Sequence, residues 1–212
     1  NCPGEVWIAR QGEPYMERHP APDLTGELLL ALAQQVATST EQEVSRERPL
    51  LSAELPNGYR AQFVLPPASG RSVALSIRRP AVLDLALADY EKAGAFDLTN
   101  RSSSREEQTE RDLRDSYAAR DFSAFLGIAV RARKNILISA GTDTGKTTLL
   151  NALLKEIPAR ERLVIIEDAR ELRPSQANVV RLFYSRGEQG LARAGVQELC
   201  EATLRLRPDR IL

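Results

Sequence analysis

The chain has 212 residues, 42% of them hydrophobic and 27% charged, and its 29 basic side chains are balanced by 29 acidic ones. That length gives room for two modest domains, and the charge balance removes any global pull toward nucleic acid or anionic lipid, so direct nucleic-acid binding is not expected. No stretch approaches the ~18 consecutive apolar residues of a membrane helix, and no secretory signal opens the chain. Cys2 and Cys200 are too few and too badly spaced for a zinc site or a disulfide framework. These features together point to a soluble cytoplasmic protein.

Residues 5–10 (EVWIAR) alternate apolar and polar side chains and predict a short strand with Val6 and Ile8 on one face. From a cap at Asp23 or Thr25, Leu28, Leu29, Leu32 and Val36 recur at helical spacing, predicting an amphipathic helix that ends near Ser39. Asn57-Gly58 lies between two alternating runs in LLSAELPNGYRAQFVLPP, a strong hairpin signal; RSVALSIRR (71–79) adds a third strand. Residues 1–96 therefore read as a small α+β domain.

Residues 97–112 are Ser-rich and charged, the composition of a linker. Glu107 with Arg111 and Glu110 with Arg114 then stand four apart and support a helix with the apolar stripe Leu113, Tyr117, Phe122, Phe125, Leu126 and Ala129. From Asn135 the pattern becomes strands alternating with helices. NILIS predicts a buried strand, 146–157 a helix closed by Pro158, LVIIE and NVVRLF two further strands, and 196–207 a helix closed by Pro208. That order is α/β and implies a parallel sheet across 113–212. RPDRIL reads as a helix terminator and the opening of another strand, and the chain starts at Asn1, so the sequence reads as cut at both ends.

Between NILIS and the next helix lies AGTDTGKTT (140–148), the P-loop spacing GxxxxGK[ST] with Ala140 at the first glycine position. Such a loop turns backbone N–H groups inward and aims a helix N-terminus at phosphate oxygens. Gly141, Thr142, Asp143, Thr144, Gly145, Lys146, Thr147 and Thr148 form the candidate ATP cradle; Lys146 would reach the β and γ phosphates and the Thr147 hydroxyl would ligate Mg²⁺. A carboxylate at Asp143 repels phosphate unless it faces solvent or is paired, which places it at the loop's outer edge. Glu167 and Asp168, at the carboxyl end of LVIIE, lie where ligands bind in open α/β sheets and could hold Mg²⁺ or orient water. Two loop acids satisfied by Arg170 or Arg173 would look the same.

With these motifs in view, AGTDTGKTTLLNALLKEIP, ERLVIIEDARELR, NVVRL and LRLRPDRIL resemble the VirB-eleven-type traffic ATPases of type IV secretion and conjugation. The resemblance continues upstream through CPGEVWIAR, PLLSAELPNGYRAQFVLPP and SVALSIRRP. It implies a homo-hexameric ring whose subunits carry an N-terminal α+β domain and a RecA-like P-loop NTPase domain, here short at its C-terminal side. It further implies hydrolysis of Mg·ATP to drive transfer, and work beside other subunits of the machine at the inner membrane, with peripheral attachment there. By position, Arg60 and Arg78 match first-domain arginines that reach nucleotide phosphates, while Glu167 and Asp168 match an acidic box. The family's catalytic glutamate and histidine box lie beyond RPDRIL, so the 212 residues alone are expected to be inactive in hydrolysis. The rival readings are an ATPase of type II secretion or type IV pili, whose frequent four-cysteine module two cysteines cannot build, and a ring subunit that binds nucleotide without hydrolysing it.

Overall fold

A computed structural model describes residues 3–80, 85–97, 104–141, 143–185 and 191–212. They form two compact units, Asn1–Pro80 with Pro158–Leu212, and Ala81–Ile157.

In the first unit, β1 (Gly4–Ile8) pairs antiparallel with β2 (Glu17–Ala21), with Val6 opposite His19. Nothing in the sequence predicts a strand at residues 17–21. β2 escapes detection because ERHPA carries charges and Pro20, which is tolerated only where its missing N–H leaves no ladder bond unmade, as on an edge strand. Helix α1 (Gly26–Ser39) starts at Thr25, whose Oγ1 accepts a hydrogen bond from the Leu28 amide at 3.1 Å. It buries Leu29, Ala33, Val36 and Ala37, whereas Leu28 stays 48% exposed, so the apolar face is turned by one residue from the predicted stripe.

α1 packs on the sheet β3-β4-β5 (Leu50–Glu54, Arg60–Val64, Ala74–Arg78), which is antiparallel throughout. The predicted Asn57-Gly58 hairpin is present: Gly58 takes φ +77°, and the Asn57 side-chain oxygen accepts from the Tyr59 amide at 3.2 Å. Ala61 and Phe63 of β4 face α1 in one core. Val64 and Ala74 join a second core with Val164, Leu182, Leu199 and Leu206, which makes the two sequence segments one unit. Fully burying each such Leu or Val contributes about 1.5–3 kcal/mol.

A third sheet has the order β7-β6-β8 (Val179–Phe183, Leu163–Glu167, Arg210–Ile211), and both pairings are parallel, as the alternating pattern predicts. Helix α6 (Val196–Arg205) covers it with Leu199, Ala202 and Thr203. Gly70, at φ +79°, lies so close to Phe183 that an added Cβ would stand 3.3 Å from its ring.

The second unit contains α2 (Leu87–Lys92), α3 (Ser104–Ala118), α4 (Phe122–Arg131) and α5 (Lys146–Leu154). Two sequence readings are corrected here. The stripe from Leu113 to Ala129 belongs to two helices: Arg120 turns left-handed at φ +56°, and the Asp121 carboxylate accepts from the Ala124 amide at 3.0 Å, capping α4 anew. Tyr117 meets Phe122 and Phe125 across the break, at ring centroid separations of 6.1 and 5.7 Å. Residues 135–139 (NILIS) form no strand. A strand exists only through a ladder partner, and none of the described strands pairs with these residues. Leu137 is left 93% exposed. Of the stretch read as linker, Ser104–Asp112 lies within α3.

Candidate nucleotide site

The P-loop belongs to the second unit. Gly145 closes it at φ +88°, a left-handed conformation that only glycine adopts without strain, and stands as N-cap of α5 with no side-chain cap. The opening amides of α5 therefore have no capping side chain, which is the condition for anion binding at a helix N-terminus. Lys146 curls back over the loop, its Nζ donating to the carbonyls of Ala140 at 2.6 Å and Gly141 at 2.5 Å. Thr144 Oγ1 donates to the same Gly141 carbonyl at 2.7 Å and tightens the turn. Asp143 is exposed and left-handed at φ +57°. Lys146 and Thr147 are half-buried and Thr148 is exposed, while Thr142 lies outside the described residues.

The remaining candidates belong to the first unit. Arg60 and Arg78 are direct cross-strand partners on β4 and β5, both exposed and neither ion-paired among the described residues. Like charges opposite one another are unfavourable in a sheet, so the pair is suited to an anion. With Arg79, Arg162, Arg205 and Arg207 they line a cleft of about 1290 Å³. Arg205 Nη1 donates to Ser52 Oγ at 2.6 Å, above a buried Gln62. Arg162 is buried and donates through Nη1 to Asn178 Oδ1 at 2.5 Å and through Nε to the Leu206 carbonyl at 2.9 Å. Burial pushes its guanidinium down to about 10; Asp209 opposes that shift and the Arg207 charge adds to it. The four added arginines lie in the quoted segments SVALSIRRP, ERLVIIEDARELR and LRLRPDRIL, but went unnoticed because only the fold brings those segments to one cleft.

Glu167, the last residue of β6, is 8% exposed, and Asp168 after it is exposed. Glu167 Oε1 accepts from Arg181 Nη1 at 2.5 Å, and Oε2 accepts from the amides of Glu171 and Leu172 at 3.1 and 3.3 Å. Asp168 Oδ1 accepts from the Ala169 amide at 2.9 Å. The signal for Arg181 was available: it is the one charged residue inside the apolar run NVVRLF.

An α/β chain with a glycine-closed lysine loop at a helix N-terminus falls in the P-loop class. Within that class the chain belongs to the family of type II/IV secretion system proteins, whose model it matches over residues 3–212. It is 40% identical over 204 residues to the type IV secretion system protein VirB11 of Bartonella quintana, covering 91% of this chain and 57% of that protein. It is also 40% identical over 216 residues to the PtlH homolog of Bordetella bronchiseptica, covering 100% and 62%. The crystal structure of the VirB11 ATPase of the Brucella suis type IV secretion system, in complex with sulphate, superposes with a TM-score of 0.88 at 36% identity, covering 100% of this chain and 63% of that one. The fold is thus that of a VirB11-type protein, an N-terminal α+β part with a RecA-like NTPase part. The chain spans about three fifths of the length of these relatives.

Proposed function

We propose that the chain belongs to an ATP-hydrolysing motor subunit that works as a homo-hexamer in type IV secretion or conjugative transfer, beside other subunits of that machine at the cytoplasmic face of the inner membrane. The observation that carries the reading is the P-loop, with Gly145 left-handed at the uncapped start of α5 and Lys146 folded over the loop. The amides of 141–148 and the Lys146 ammonium would hold the β and γ phosphates of ATP, displacing the ammonium from the carbonyls it now contacts. Among the described residues no three His, Cys, Asp or Glu side chains cluster as a metal site. That suits Mg²⁺, which is held by one or two protein ligands together with phosphate oxygens and water. Thr147 and the acidic pair Glu167-Asp168 are the residues that would hold it, and the ion supplies charge neutralisation on the phosphates. Arg60 and Arg78 would meet the γ-phosphate, a role of arginine worth about 10³ to 10⁵ in rate where it stabilises phosphoryl transfer. Water attacks the γ-phosphorus and ADP departs, with the protein contributing position and charge. The division into 1–96, 97–112 and 113–212 is kept as the proposed domain layout. Among the described residues no helix is long and apolar enough to cross a membrane, in keeping with peripheral attachment.

The test is titration of a fluorescent ATP analogue with Mg²⁺ into the chain and its Lys146→Ala variant. Saturable binding that weakens at least about tenfold in the variant, the loss of one charge-assisted contact, is expected; equal affinities would sink the P-loop assignment.

A further inference from the structure

The β1–β2 hairpin is lightly anchored within the first unit. Among the described strands its two members pair only with each other, and neither buried core includes a residue of either strand. A two-stranded ribbon has little stability of its own in water, so its seat depends on what holds it. At its base the chain passes from β2 through residues 22–25 into α1, and the Gly4 amide donates to the Leu24 carbonyl at 2.9 Å. At its far end the connection between the strands meets residues flanking β6 and β7. The Arg160 guanidinium lies over the Tyr15 ring, 5.4 Å from the centroid, and Asn178 Nδ2 donates to Met16 Sδ at 3.6 Å. Both contacts are weak, one a cation–π pair and the other a bond to a thioether. Asn178 itself is firmly held, 2% exposed and accepting from Arg162. Between these ends Val6, Trp7 and Ile8 line the same cleft as Arg60, Arg78 and Arg207. A ribbon fixed at one end, weakly fastened at the other and lying along a cationic cleft has the construction of a hinged cover.

We propose that the β1–β2 hairpin is a lid on the arginine cleft, latched at its tip by Tyr15 on Arg160 and Met16 on Asn178, and that release of the latch admits anions to Arg60 and Arg78. The latch stands on the contacts above; that the admitted anion is a phosphate chain rests on the nucleotide reading.

Two measurements on the whole chain separate these parts. Trp7, the sole tryptophan, lies in the lid and reports on it. Tyr15→Leu and Arg160→Met each remove the cation–π pair, and both should raise the acrylamide quenching of Trp7. Tyr15→Phe, which keeps an aromatic face under the guanidinium, should quench as the wild type does. Amide hydrogen exchange across the β1–β2 ladder should stay unchanged in Arg160→Met, since a swinging lid keeps its ladder and a melting one does not. Unchanged quenching in both variants overturns the lid, and so does a rise accompanied by lost ladder protection in Arg160→Met. Should Tyr15→Leu disorder the hairpin, the quenching of Arg160→Met, which alters no residue of the hairpin, decides. The second measurement is stopped-flow binding of inorganic tripolyphosphate, followed by Trp7 emission, in a Lys146→Ala background that removes the P-loop ammonium. Tyr15→Leu, which changes no charge, should raise the association and dissociation rates together by about two- to fivefold, the weight of one exposed cation–π pair, and leave affinity unchanged. Weaker binding without faster association overturns the lid. If tripolyphosphate does not bind while quenching changes as expected, the lid stands and the phosphate reading of Arg60 and Arg78 fails.

Discussion

Asp143 shows how one residue can be legible in type and hidden in conformation. The sequence gives a carboxylate inside a P-loop; only the backbone shows it at φ +57°, where a residue with a Cβ is strained. Asp143→Gly removes both strain and like charge, so ATP-analogue affinity should rise about threefold to tenfold by titration calorimetry, as relieving roughly 1 kcal/mol would give. An unchanged affinity would place the carboxylate's charge at the solvent edge, out of reach of phosphate. Lys146 and Gly145 were readable because a motif names them; Arg181 stands out as the charged residue of NVVRLF, but its partners Glu167 and Leu172 could not be read, because they are neighbours only once β6 and β7 pair. Glu5 was hidden for the same reason. Burial works to raise its carboxyl, but hydrogen bonds from Trp7 Nε1 and Arg18, together with the Arg18 charge, outweigh burial and hold it below the usual carboxylate range. A group depressed in the folded state stabilises the fold above its unfolded value, and that contribution is lost as pH falls through the folded value. Emission from Trp7, the sole tryptophan, should therefore change in a transition below pH 4.5, which Arg18→Ala moves upward toward the ordinary value.

Among elements, those with local signals were found and those that depend on a partner were not. The hairpin at Gly58, helix α1 and the three parallel strands all announce themselves by period and turn chemistry. β2 has neither and exists because β1 pairs with it. The converse is residues 135–139, whose apolar content promised a strand that the described residues do not pair. The start of β6 is secured by Arg162, whose backbone amide donates to Asp209 Oδ2 at 2.7 Å while its guanidinium reaches Asn178. Asn178→Ala would leave that buried cation short of an acceptor. A loss of about 1.5–3 kcal/mol in urea-unfolding free energy is expected, the value of a hydrogen bond to a charged group. A loss below about 0.5 kcal/mol, the ordinary surface figure, would show that Leu206 and Asp209 suffice.

At the scale of the whole molecule, composition and motif order carried the family and the α/β class. Reading along the chain suggests a break near residue 96, which stays a proposal; contacts in the structure group Asn1–Pro80 with Pro158–Leu212 as one unit and Ala81–Ile157 as the other. The reason is the shared core of Val64, Ala74, Leu199 and Leu206, a contact between distant segments that no local pattern reports. Leu137, at 93% exposure in an unpaired strand-prone run, predicts concentration-dependent self-association. Leu137→Glu should lower the sedimentation coefficient at high concentration without changing the melting temperature, and an unaltered sedimentation profile would place the sticky surface elsewhere. The discontinuous first unit also dictates an order of events on the ribosome. Val64 and Ala74 emerge more than a hundred residues before Leu199 and Leu206, a wait of roughly 6–25 s at synthesis rates of about 5–20 residues per second. During that interval the nascent chain can complete the inserted Ala81–Ile157 segment while one face of the β3-β4-β5 sheet stays bare, a natural target for holding chaperones until α6 is translated.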